Sequence, residues 1–144
     1  MTKGGTLVEL QLTRKQFRRL LDMAYIGNWI LNSPRGADRF SDYDQVQSLL
    51  FSAAAEQGLG ELSWSVGPVT LPSLDYINGG IHDAIAEYED TMFFRILAEE
   101  LARRDMDDVP IDEHNMEELN QRMDAYMEEF ELHGTDHVMV ETEE

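Results

Sequence analysis

The segment from Glu87 to Glu144 holds 20 acidic and 4 basic side chains. A segment this acidic folds only if its carboxylates stay in water while an apolar stripe is withdrawn from it, because an unpaired buried carboxylate is prohibitively costly. An amphipathic helix meets that demand, and the local pattern has its period. Phe93, Leu97 and Leu101 recur every four residues with Glu99, Glu100, Arg103 and Arg104 between them. This predicts a helix over 91–105, capped by Asp90 or Thr91, with that apolar stripe in the core. Met116, Leu119, Met123, Tyr126, Met127 and Phe130 predict another from about Asn115 to Leu132, stopped by Gly134.

Upstream, Thr13 and Gln16 form a capping-box pattern, so a helix is expected from Arg14 to about Leu31, with Phe17, Leu20, Leu21, Ala24, Asn28 and Leu31 on one face. Its second half, "AYIGNWIL", is apolar nearly all round, which places it centrally or under a second subunit. Gly27 weakens a helix interior by roughly 1 kcal/mol relative to Ala, which points to another element approaching closely there. Ser41 caps a further expected helix running to Gly58, with Tyr43, Val46, Leu50, Ala53 and Ala54 inward. Ser73 caps the next helical region, which Gly79 and Gly80 interrupt before Ile81.

Two segments alternate like half-buried strands: "GTLVELQLT", with Val8, Leu10 and Leu12, and the terminal "HVMVE". "LGELSWSVGPVTLPS" reads as one or two short extended segments. The expected fold class is therefore mainly α: a single compact domain over residues 1–144, of four to five helices, with a small sheet from the N-terminal strand and the C-terminal one. Leu, Ile, Val and Phe make up 36 of 144 residues. That is above the roughly 20% below which a highly charged chain stays disordered.

The chain has no cysteine, which excludes disulfide frameworks, thiolate metal sites and cysteine nucleophiles. No secretory pattern opens the sequence and no run approaches a membrane span, so a cytoplasmic location and no membrane partner are expected. The net charge of −18 is uneven: residues 1–40 carry seven basic groups against three acidic ones. The economical use of "RKQFRR" is internal pairing with the acidic C-terminal half. Nucleic acid would dock in a field of the wrong sign and is not expected as a partner.

Elbow, Walker, Rossmann and EF-hand patterns are missing, and the sequence nominates no catalytic, cofactor-binding or metal residue. The leading reading is a non-enzymatic interaction protein, of the inhibitor, adaptor or nucleic-acid-mimic kind, binding a basic protein surface through Glu99, Glu100, Asp105, Asp107, Asp108, Asp112, Glu113, Glu117 and Glu118. Imidazoles and a carboxylate in "HGTDH" support an alternative, a metal-assisted enzyme using His133, Asp136 and His137. Against it, Gly134 separates the two histidines and no zincin spacing is present. A homo-oligomeric scaffold, with "AYIGNWIL" at its interface, is the third reading.

Overall fold

The computed structural model describes residues 5–143. The protein is mainly helical, with α1 (Arg14–Asn32), α2 (Ser41–Glu56), a two-stranded antiparallel sheet of β1 (Ser63–Val66) and β2 (Val69–Pro72), a short α3 (Leu74–Tyr76), α4 (His82–Asp105) and α5 (Met116–His133). Backbone contacts group into two compact units, 1–85 and 86–144, and the division falls within α4.

In the first unit the capping box forms as expected: Gln16 N–H donates to Thr13 Oγ1 at 3.1 Å and Thr13 N–H donates to Gln16 Oε1 at 3.0 Å. The core is Leu21, Tyr25, Phe51, Ala54, Tyr76 and Ile85, with Phe17, Leu50 and Leu62 against it. The faces follow the apolar periodicity in part: Leu21, Asn28 and Ala54 are buried and Phe17 and Leu50 pack on the core as expected. In α1 the buried line runs Leu21, Tyr25, Asn28, Asn32, and in α2 it is Phe51 and Ala54, while Tyr43 and Val46 are exposed. Hydrogen bonding adds polar groups to both faces. Asn28 Nδ2 donates to Asp44 Oδ1 at 3.0 Å and to Gln47 Oε1 at 3.1 Å, so polar residues lie inward on both helices.

Ser41 does not cap α2. The cap position is Phe40, whose N–H donates to Asn32 Oδ1 at 2.8 Å and whose carbonyl accepts from Asn32 Nδ2 at 3.2 Å. The Gly27 expectation also fails within the chain, since a Cβ there would meet nothing within 4 Å.

The sheet lies elsewhere than expected. Residues 7–12 and 137–141 form no strand, and Leu7, Val8 and Leu10 are exposed. The hairpin comes from the "SWSVGPVTLP" stretch, where local chemistry decides the pairing. Gly67 at φ 60° supplies the positive-φ position of a two-residue hairpin turn, and Val66 pairs with Val69. Thr70 N–H donates to Ser48 Oγ at 3.0 Å and joins the hairpin to α2. Alternation without a partner strand or such a turn does not fix a sheet.

Ser73 caps α3, its Oγ accepting from Tyr76 N–H at 3.1 Å. Gly80, at φ 107°, then interrupts the path into α4 as its sequence predicts.

In the second unit α4 is not broken at 89–91. Thr91 Oγ1 donates to the Glu87 carbonyl one turn back at 2.9 Å, a bond that satisfies the hydroxyl inside a continuing helix. The buried face of α4 is Ala98 and Ala102, both fully buried, followed by Met106, whereas Phe93 is 52% exposed. The fully buried line is thus turned by one residue from the one read in the sequence, with Leu97 and Leu101 half-buried beside it. Leu119, Ile111, Met123 and Tyr126 complete this core, and Phe94 packs on Phe130 with ring centroids 5.4 Å apart. Met116 is exposed rather than inward.

Candidate functional site

Two places in the second unit concentrate chemistry. The first is the connection between α4 and α5 with the helix ends beside it. Asp105, Asp107, Asp108, Asp112, Glu113, Glu117 and Glu118 are all exposed there, with Val109 and Met116 exposed among them. Asp107 and Asp108 take left-handed φ of 56° and 51°, a conformation that Asp tolerates. Asp112 Oδ1 accepts from His114 N–H at 2.8 Å and Asn115 N–H at 3.3 Å, which orders the chain ahead of α5.

Some of the nominated carboxylates are spent internally. Glu99 accepts two bonds from Arg103, Glu118 two from Arg122, and Asp105 two from Arg104. Asp105 also accepts a short hydrogen bond from Tyr126, which together with Arg104 holds its carboxyl below the usual range, and the Tyr126 phenol is raised by the same contact. Glu100 is exposed on α4, where it continues a line through Glu89, Phe93 and Ile96, spaced four, three and four residues apart. Phe93, which its four-residue period with Leu97 and Leu101 places in the core, thus lies on an exposed line of mixed apolar and acidic character.

The second place is the C-terminal end of α5. Glu129 and His133 lie one turn apart, and Gly134, at φ 55° and ψ −129°, turns the chain so that His137 returns to them. His137 Nδ1 lies 2.5 Å from Glu129 Oε1, and the two imidazole centroids are 4.4 Å apart. One ligand atom from each of Glu129, His133 and His137 falls within 4.8 Å of the others. Gly134, read as an obstacle to a histidine pair, is what brings the pair together. Asp136 is not part of the cluster, and Glu129 takes the place given to it. A groove of about 290 Å3 adjoins, lined by Arg104, Tyr126, Glu129, His137, Val138 and Met139 among others.

In the first unit two cations of the basic cluster of α1 and two in the loop after it pair locally. Arg18 and Arg19 meet Asp22 at 2.6 and 3.5 Å, while Arg35 meets Asp38 and Arg39 meets Asp44. The partners of these four arginines thus lie in their own unit. Asp22 also accepts from the Tyr76 hydroxyl at 2.8 Å, and burial, then this bond, pushes the Tyr76 phenol up. Tyr25 Oη lies 2.6 Å from His82 Nε2, and Trp29 packs edge-on to that imidazole. These contacts join residues far apart in sequence, and no spacing rule announces them. No helix among the described residues is long and apolar enough to cross a membrane. No protein family, curated protein or solved structure matches this chain.

Proposed function

We propose that the protein is a non-enzymatic interaction protein whose second unit binds a basic, partly apolar protein surface. The observation that carries this reading is the company the carboxylates keep. Seven of the nine nominated residues are exposed at the α4–α5 connection together with Val109 and Met116, and Glu100 extends a line holding Phe93 and Ile96, which are 52% and 54% exposed. Two large apolar side chains between the acids give this face an apolar contact that charge alone lacks. A basic amphipathic segment would cover Phe93 and Ile96 while its cations meet Glu89 and Glu100, with charge setting the encounter rate and the apolar contacts the residence time.

The test uses immobilised full-length protein in lysate at low and high salt, beside two variants: Glu100→Gln with Glu117→Gln, and Phe93→Ser with Ile96→Ser. A basic protein retained at low salt, released by salt and lost with both variants is the expected outcome. Retention of nothing, or identical retention by the charge-neutralised variant, would count decisively against the reading.

A homo-oligomer is the second reading, favoured by apolar exposure in the first unit. Met23, Trp29 and Ile30 of α1 are 71%, 36% and 58% exposed, and Gly27 between them leaves room for a close approach. Light scattering measures it directly.

A further inference from the structure

We infer that Glu129, His133 and His137 bind one divalent transition-metal ion of the zinc class, and that this ion fastens the C-terminal segment onto α5. Two imidazoles and a carboxylate are ordinary zinc donors, and three protein ligands with an open position are an ordinary zinc set. Nitrogen donors in this proportion select against calcium and magnesium, which take oxygen ligands.

The geometry is close to what the ion needs. Donor atoms around zinc sit roughly 3–3.5 Å from one another, given metal–ligand distances of about 2.0–2.2 Å. The three side chains offer donors within 4.8 Å of one another, on a half-buried Glu129 and exposed His133 and His137, so small side-chain rotations complete the set. An ion pair alone accounts for His137 and Glu129, which are already 2.5 Å apart. It does not account for His133, whose ring lies 4.4 Å from that of His137 and which shares a helix face with Glu129. On binding, the cation displaces to water the proton between His137 Nδ1 and Glu129 Oε1; where that is the ring's one proton, Nε2 takes one up from water in exchange, so the bound ring is neutral.

The consequence is structural. Val138 and Met139, immediately after His137, are the tail's contribution to the wall of a groove that Leu101, Tyr126 and Phe130 also line. Among the described residues, the chain beyond His133 belongs to no helix or strand, and apart from the His137–Glu129 contact its hydrogen bonds are short-range turns. A metal at His137 would therefore set that wall in place.

Metal-free full-length protein titrated with zinc by calorimetry tests the site, and limited proteolysis after residue 137 tests the fastening. One ion per chain is expected, with affinity at least about tenfold lower in His137→Gln and in Glu129→Gln. Zinc should slow cleavage of the tail in the parent protein and not in His137→Gln. Because His137 lies beyond α5, its replacement leaves the helical core intact. Uptake below about a tenth of an equivalent overturns the proposal, since dedicated sites fill near-stoichiometrically. Unchanged zinc affinity in the double variant His133→Gln with His137→Gln also overturns it, by placing the ion on the acidic connection instead. Zinc binding that leaves tail cleavage unaltered refutes the fastening.

Discussion

Asn32 illustrates how single side chains decide this fold. It is 1% exposed, donates from Nδ2 to Asn28 Oδ1 at 2.6 Å, and brackets Phe40 through both its amide and its carbonyl. Asn28 Oδ1 and the backbone N–H and C=O of Phe40 depend on it, and each such group left unpaired away from water costs about 1–3 kcal/mol. Asn32→Ala is therefore expected to destabilise the protein by about 2–4 kcal/mol in denaturant unfolding, a larger loss than the volume removed would give on a merely apolar site. A change below about 0.5 kcal/mol would mean that water satisfies these groups. Asp44 belongs to the same network: its bonds from Arg39 hold its carboxyl down, with a further contribution from Asn28 and against some desolvation. A depressed carboxyl contributes stability above its unfolded pKa of about 3.9 and loses it as the pH falls through the folded value.

At the scale of elements, the contact between the end of α4 and α5 has a definite pH window. Tyr126 donates to Asp105, which lowers the acid and raises the phenol. The Asp105 share of stability is lost as the pH falls below about 4. The Tyr126 share is whole below about 10 and is lost as the pH rises through the raised folded value. Tyr126→Phe should therefore lower the melting temperature at neutral pH and remove part of the alkaline decline, whereas an unaltered alkaline limb would show that the bond contributes nothing. The ends of α1 and α5, the cap of α3 and the glycine break before α4 were legible in the sequence because capping and turn chemistry are local. The inward faces were legible in part: Leu21 and Asn28 of α1, Ala54 of α2, and Leu119 and Phe130 of α5 are buried as their period predicts. Tyr43 and Val46 were assigned inward and are exposed, because α2 turns Asp44 and Gln47 toward Asn28 of α1 instead, and such polar inward positions carry no apolar signal. The strands at 7–12 and 137–141 were misread for the converse reason: alternation was present, but a strand exists only through its partner. Glu129 escaped notice because its neighbours in the cluster are reached through a turn whose direction only the φ and ψ of Gly134 reveal.

At the scale of the whole molecule, the accessible surface is 11474 Å2. A globular monomer of this mass is expected to expose about 7,500 Å2, and two separate globular bodies of the sizes of the two units about 9,000 Å2. The excess does not depend on how the units are arranged, and it is in keeping with the many large apolar side chains left in water. On the proposed reading a partner covers such surface, and the charge would favour different partners for the two units. The first unit carries seven basic and nine acidic groups, so it is almost neutral, whereas Glu87–Glu144 carries most of the −18. Self-association works against the like charge of two whole chains, and salt relieves that repulsion. Docking of a basic protein on the second unit works with the charge, and salt weakens it. Raising sodium chloride from about 0.05 to 0.5 M, across which the Debye length shrinks from roughly 14 to 4 Å, should increase any dimer fraction in light scattering while lowering the affinity for a basic partner. Met23→Ser with Ile30→Ser should abolish the first effect and spare the second. If salt instead dissociates the dimer, its interface joins the acidic unit of one chain to the basic cluster of another, and the first unit's apolar face is not what holds the copies together.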